Sequence, residues 1–141
     1  MTPETRYYLD KARQCLADAK IIAAVPIPQV AAKEAYLAGY HVAAAFILAR
    51  TGKVAKTHTG VRTEFSKLAH REPRIDRSFL SFLAQAYELK SVADYGVGPI
   101  AKISSDDAKA AIETAGRFIE CIAELLNQPN PTPRRDPGTC P

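Results

Sequence analysis

The residues best suited to chemistry in this chain lie in a basic segment, residues 50–61, that follows a long apolar stretch. It contains Lys53, Lys56, Thr57 and His58, and a helix is predicted to begin directly after the histidine. The first backbone N–H groups of a helix lack intrahelical acceptors and attract phosphate. An imidazole in that position can act as a general acid or base. The segment therefore predicts a phosphate-binding turn in which His58 is the candidate catalytic residue.

A purely structural role for the same segment is the alternative. Thr57 or Thr59 can cap the helix, because a threonine hydroxyl accepts a hydrogen bond from a first-turn N–H group, and His58 would then order the loop. Arg50 suits the negative end of the preceding helix, and it is also a candidate contact for RNA or nucleotide. The sequence leaves both interpretations open.

A second polar cluster ends a later predicted helix and contains Lys90, Asp94 and Tyr95. If this cluster converges on the basic segment, Asp94 would orient the His58 imidazole as a second candidate catalytic residue. Lys90 and the Tyr95 hydroxyl would then contact phosphate. The alternative is a polar clasp that closes the helix, since Lys90 and Asp94 are four residues apart and can pair across one turn.

The other histidines and the cysteines are assigned structural roles. His41 lies within an apolar helix, where a lone histidine is expected to hydrogen-bond inside a bundle, and His70 suits the negative end of a predicted helix. No histidine and carboxylate have the spacing of metal ligands, so neither a metal site nor a cofactor is predicted. Cys15, Cys121 and Cys140 are few and far apart, which favours a reducing cytoplasm over a disulfide scaffold.

The element that must position these groups is the uncharged stretch 35–49, AYLAGYHVAAAFILA. It is too long for one strand and too short for a membrane span, which needs roughly 20 apolar residues. A helix that is apolar on all sides is a buried helix, so we predict a central helix over 29–50. No signal peptide, P-loop, GxGxxG or GxSxG motif is present, and no membrane association is expected.

Helical periodicity predicts an all-α fold with four further helices around the central one. The first runs from a Thr2 cap to about residue 24, the third covers 59–70, the fourth covers 76–92, and the fifth opens at residues 104–105. Four long helices and one short extra helix predict a four-helix up-and-down bundle over residues 1–127. Residues 128–141 contain five prolines and no large apolar side chain, which predicts a disordered tail.

Positive charge is concentrated in the middle of the chain. The whole sequence carries a net charge of +4, whereas residues 50–90 contain nine basic and four acidic residues and carry +5. The rest of the chain therefore sums to about −1. A basic segment on an otherwise neutral protein suggests an acidic partner such as RNA or nucleotide, and the alternative is an ordinary solvated face.

Three segments together carry a resemblance to a known family. The apolar helix at 35–49 leads into KTHTGV at 56–61, and a later helix ends in KSVADY at 90–95. Over about residues 7–126 the chain resembles small stand-alone prokaryotic HEPN-domain proteins (higher eukaryotes and prokaryotes nucleotide-binding). The resemblance implies a four-helix bundle, commonly homodimeric, with a role in toxin–antitoxin or defence modules and often a nucleotidyltransferase partner.

Many relatives in this family are metal-independent ribonucleases that use an arginine and a histidine separated by four to six residues. The chain departs from that pattern, because Arg50 and His58 are separated by seven residues, as are Arg62 and His70. Lys53 alone has the required spacing to His58, and lysine is a poorer planar clamp on phosphate than arginine.

Two functional hypotheses follow. In the first, a non-catalytic HEPN dimer binds RNA, nucleotide or a nucleotidyltransferase through Arg50, Lys53, Lys56, Thr57, Lys90 and Tyr95. In the second, a ribonuclease uses His58 as a base on a ribose 2′-hydroxyl, with Asp94 orienting the imidazole and nearby cations stabilising the phosphorane.

Overall fold

The computed structural model describes residues 1–85 and 103–127, and all regular structure in these ranges is helical. The predicted all-α fold is therefore confirmed. The predicted end of the fourth helix, the 93–103 loop and the 128–141 tail lie wholly or almost wholly outside the described residues. The helices are α1 (Pro3–Ile22), α2 (Pro28–Thr51), α3 (His58–Ala69), α4 (described over 78–85) and α5 (Ser105–Asn127).

The helices begin and end where local hydrogen bonding favours it. The Thr2 hydroxyl accepts from the Thr5 N–H at the start of α1. Ser104 and Asp107 exchange side-chain and backbone hydrogen bonds of 3.0 and 3.1 Å before α5, which is a capping box. Helix α2 ends at Thr51 and is capped by Gly52, whose φ of 73° is left-handed and suits glycine.

Helix α2 forms the centre of the core, as its sequence predicts. Within residues 35–49 only Ala49 is exposed. The other helices each place an apolar face against this core, and burial of that shared surface is the main favourable term in the folding of the bundle.

Contacts along α2 show the direction of the short helix α3. The Tyr40 and His58 rings lie 4.2 Å apart, and the Phe46 and Phe65 rings lie 5.8 Å apart, so both helices advance in the same direction. Helix α3 is therefore parallel to α2. The connection 52–57 must run back along α2 before α3 can begin.

Further contacts establish the relative directions of α2, α4 and α5. The Tyr36 hydroxyl donates to Gln85 Oε1 at 3.5 Å, whereas Gly39, further along α2, lies against the earlier α4 residue Phe82, so α4 runs antiparallel to α2. The Phe118 ring stacks on Phe79 with centroids 4.5 Å apart. One turn later on α5, Cys121 donates to the carbonyl of Arg74, which precedes α4, so α5 runs antiparallel to α4. The predicted four-helix up-and-down bundle with one short extra helix is confirmed.

None of the helices within residues 1–85 and 103–127 combines the length and the apolar character that crossing a membrane requires.

Gly39 is expected to be essential for the close approach of α2 and α4. A Cβ atom at this position would lie 2.5 Å from Phe82 Cε2 and 2.9 Å from Phe82 Cδ2, which real Cβ atoms do not tolerate. We expect Gly39→Ala to lower the free energy of unfolding by about 1–3 kcal/mol in urea titrations, through overpacking. Gly116→Ala is the matched control, because its nearest new contact, Leu16 Cδ2, is at an ordinary 3.9 Å. That change should stabilise the helix by about 0.5–1 kcal/mol, and equal effects of the two substitutions would contradict this assignment.

Candidate functional site

His58 is the first residue of α3 and lies beside the middle of α2. Thr57 caps the helix, because its Oγ1 accepts from the Gly60 N–H at 2.9 Å. The half-buried His58 ring lies against the half-buried Tyr40 ring, with centroids 4.2 Å apart and planes 31° apart. The structure thus shows the helix cap that was predicted for Thr57. This cap is compatible with a functional role for His58, because only the threonine side chain takes part in it.

The connection between α2 and α3 has an ordered backbone that leaves its lysines in solvent. The Thr51 hydroxyl donates to the Ile47 carbonyl at 2.8 Å and accepts from the Lys53 N–H at 3.1 Å. Ala55 packs against the core, while Lys53 and Lys56 are exposed. Two positive charges are therefore held on the short segment that leads to His58.

Tyr40 and His41 introduce polar groups into the otherwise apolar helix α2. Their rings form an edge contact at 5.5 Å, and His41 Nδ1 is buried without a hydrogen-bond partner among the described residues. Burial lowers the pKa of His41 from 6.5 to about 4, and the positive charges of Lys11 and His58 add to the effect. Burial and the nearby Tyr8 raise the pKa of Tyr40. His41 is therefore a neutral imidazole at pH 7, and the sequence expectation of a hydrogen-bonded core histidine is not met at Nδ1.

Arg50 lies at a different level of the bundle from His58. Its guanidinium is 3.8 Å from the Glu72 carboxylate and 4.8 Å from the centre of the Phe46 ring. Glu72 is held mainly by Arg74, which donates two hydrogen bonds of 3.0 Å and lowers the pKa of the carboxyl. Arg50 is ten residues beyond Tyr40 on α2, which corresponds to about 15 Å.

The predicted site residues therefore fall into three groups. Lys53, Lys56, Thr57 and His58 share the connection and the start of α3. Arg50 belongs instead to the ion-pair cluster around Glu72. Lys90, Asp94 and Tyr95 lie outside the described residues, so their predicted approach to His58 stays a prediction.

The sequence reasoning missed two residues that contact or influence the histidines of this region. Tyr40 contacts the His58 ring directly, and Lys11 on α1 influences the charge state of His41. A signal was present, because Tyr40 and His41 are adjacent polar-tipped rings within a stretch that is otherwise nearly all aliphatic. No spacing or motif in the sequence connects Lys11 with Tyr40 or His41.

The third histidine has the structural position that was predicted. His70 follows α3 directly, and its Nδ1 lies 2.6 Å from the Ser66 carbonyl oxygen. Across residues 1–85 and 103–127, no three His, Cys, Asp or Glu side chains are grouped so that they could hold a metal ion.

The bundle and the segments that build this site match a known family. The chain belongs to the HEPN domain family, whose family model matches residues 5–126. It is similar to a UPF0332 protein of Gloeobacter violaceus, with 30% identity over 128 residues that cover 91% of this chain and 100% of that protein. It is also similar to a UPF0332 protein of Thermotoga maritima, with 25% identity over 120 residues that cover 85% of this chain and 89% of that protein.

The buried imidazole of His41 predicts a pH-dependent stability. Its pKa of about 4 in the folded protein is below the ordinary value of 6.5, so the unfolded chain takes up a proton first as the pH falls. The stabilising effect of a neutral His41 in the folded protein is complete above about pH 6.5 and is lost progressively towards pH 4. We expect the free energy of unfolding to decrease between about pH 7 and pH 5, a window above the ordinary carboxylate range.

His41→Gln is expected to flatten this decrease, and His70→Gln, which removes an exposed histidine, is the matched control and should retain it. Urea titrations at several pH values measure the effect. Identical slopes for wild type and His41→Gln would contradict the assignment.

Proposed function

We propose that this HEPN-domain protein binds single-stranded RNA or nucleotide through the His58 surface, which we define as Tyr40, Lys53, Lys56, Thr57 and His58. The observation that carries the proposal is the contact of the Tyr40 and His58 rings at the end of an ordered connection that also holds the exposed Lys56 and, nearer to the end of α2, the exposed Lys53. Aromatic and imidazole rings provide stacking surfaces for unpaired bases, and lysines neutralise phosphates.

The start of α3 adds to the attraction for phosphate. The first-turn N–H groups of a twelve-residue helix give a partial positive charge at this end. Within residues 1–85 and 103–127, Thr57 Oγ1 accepts from the Gly60 N–H and donates to no acceptor, so its hydroxyl hydrogen could donate to a phosphate oxygen. Base stacking at His58 and phosphate contacts at the start of α3 and on Lys56 would thus involve neighbouring groups, and Lys53 would extend the contacts towards the end of α2.

The position of Arg50 favours binding over catalysis. A ribonuclease would need a strong cation beside the imidazole to stabilise the phosphorane, with His58 as base and Asp94 as the orienting acid. The guanidinium of Arg50 is instead paired with Glu72, and the Arg50 backbone lies about 15 Å further along α2 than that of Tyr40. Lys53 and Lys56 would have to supply that stabilisation, and they are point charges without the bidentate geometry of arginine.

Family membership supports a wider proposal for the setting of this activity. As in many HEPN-domain proteins, the chain would act as a cytoplasmic homodimer in a toxin–antitoxin or defence module, with a nucleotidyltransferase as a cognate partner. A small nucleotidyltransferase encoded by the adjacent reading frame would support this setting.

RNA binding can be tested by fluorescence anisotropy with a labelled oligouridylate in EDTA. We expect binding that weakens with salt, and Lys53→Gln/Lys56→Gln should reduce the slope of log affinity against log salt by about 1.4, or about 0.7 per phosphate contact. Lys20→Gln/Lys109→Gln removes the same charge from exposed positions on α1 and α5 and should leave the slope unchanged. His58→Ala is expected to cost about 1–3 kcal/mol of binding if a base stacks on the ring.

The same samples distinguish binding from catalysis. Intact oligonucleotide after incubation with wild type would support the binding module. Cleavage by wild type that is lost in His58→Ala would favour the ribonuclease, and absence of any RNA or nucleotide binding would overturn the proposal.

A further inference from the structure

Helix α1 presents a second pair of aromatic rings, outside the His58 surface. The Tyr7 and Tyr8 rings contact each other edge to face with centroids 5.4 Å apart, and Lys11 Nζ lies 5.4 Å from the centre of the Tyr7 ring. Tyr8 packs against the core, whereas Tyr7 is 57% exposed. We define Tyr7, Tyr8 and Lys11 as the α1 patch. Its outer ring is accessible to a ligand.

The α1 patch lies beside the middle of α2. Further along α1, the Cys15 thiol hydrogen-bonds to Glu34, which lies early in α2. At the patch the neighbour is a later residue of α2, because Lys11, in addition to the larger effect of burial, lowers the pKa of His41. The two helices are therefore antiparallel, and the first turns of α1 lie at the level of His41.

The α1 patch and His58 lie close to the same two residues of α2. Besides burial, the positive charges of Lys11 on α1 and of His58 on α3 both lower the pKa of His41. The preceding residue, Tyr40, contacts the His58 ring. Burial and the nearby Tyr8 raise the pKa of Tyr40. Tyr40 and His41 therefore separate the two sets of rings, and the α1 patch continues the His58 surface across α2.

The width of one helix sets the length of strand that can contact both places. Helices α1 and α2 pack directly, and the axes of packed helices are about 8–10 Å apart. Successive phosphates along one stacked strand are about 3.4 Å apart, so about three nucleotide steps cross from α2 to α1. A strand of roughly four nucleotides can therefore contact both rings, whereas a dinucleotide is too short.

Stacking, rather than charge, is the attraction that the α1 patch offers to a nucleic acid. Glu4 and Asp10 lie three residues before and after Tyr7, so they partly offset the positive charge of Lys11. Lys11 itself already contacts the Tyr7 ring. An exposed tyrosine ring, however, can stack on any unpaired base, because every base has a π-face.

We propose that the α1 patch is a second base-stacking position for the same single strand of RNA, and this inference rests on the proposed function. One base stacks at Tyr40 and His58, and a base about three steps along the strand stacks on Tyr7. The second base takes the face of the Tyr7 ring that Lys11 does not cover, while Tyr8 supports the edge of that ring.

The test compares the affinities of a labelled uridine dinucleotide and a labelled dodecanucleotide for the full-length chain. Tyr7→Ala should weaken dodecanucleotide binding by about 5- to 150-fold, the contribution of one stacked base, and should change neither its salt dependence nor dinucleotide binding. Tyr7→Phe keeps the ring and should keep the wild-type affinity. Ile21→Ala, which also removes an exposed apolar side chain from α1, is the matched control and should change neither affinity.

Photocrosslinking locates the strand without relying on a variant. Trypsin cleaves after Arg6 and Lys11 and after Lys56 and Arg62, so the two stacking positions fall on separate peptides, 7–11 and 57–62. A dodecanucleotide of 5-iodouridine should label both peptides, whereas a dinucleotide should label 57–62 alone. Labelling of 57–62 without 7–11 by the dodecanucleotide would contradict the second position.

The outcomes separate the two proposals. No binding of either oligonucleotide by wild type would defeat the proposed function itself. Normal wild-type binding with equal dodecanucleotide affinities for Tyr7→Ala and Tyr7→Phe would overturn the α1 patch alone. A loss of affinity that accompanies a change of oligomeric state in analytical ultracentrifugation would also overturn it, because Tyr7 would then be a contact between two copies of the chain.

Discussion

Burial of α2 on nearly all sides is the constraint on which the rest of the structure depends. A helix without charges over residues 35–49 has no face that prefers water, so neighbours must cover it from several directions. Helices α1, α3, α4 and α5 supply that cover. The small residues of α2 allow the neighbouring helices to pack closely. At Gly39 the Phe82 ring of α4 occupies the space that a Cβ atom would need.

The position of the candidate site follows from the way in which α3 packs against α2. Between α2 and the antiparallel α4 the chain adds α3, which runs parallel to α2 and places Phe65 against Phe46. A parallel helix requires a connection that returns along the helix it follows. Residues 52–57 make that return, and His58 consequently reaches Tyr40 rather than the end of α2. The same geometry separates Arg50 from His58 although only seven residues lie between them in sequence.

The sequence could predict the helices and their caps because these depend on residues within one or two turns of each other. Thr57 and Gly60, for example, are three residues apart, and the Gly52 cap closes on Leu48. The site could not be predicted in the same way. The ring contact of Tyr40 with His58 joins residues eighteen apart, and it depends on the direction of α3, for which apolar periodicity contains no information.

The polar rings of α2 differ in whether they reach a partner on a neighbouring helix. Tyr36 reaches Gln85 on α4, and Tyr40 contacts His58 on α3. His41 Nδ1 has no partner in the described parts of the chain, and burial of an unpaired polar atom opposes folding. Under the proposed function, base stacking and phosphate contacts involve the residues around His41 and not His41 itself. Because its imidazole stays uncharged at pH 7, His41 adds no buried positive charge next to the Tyr40 ring that contacts His58.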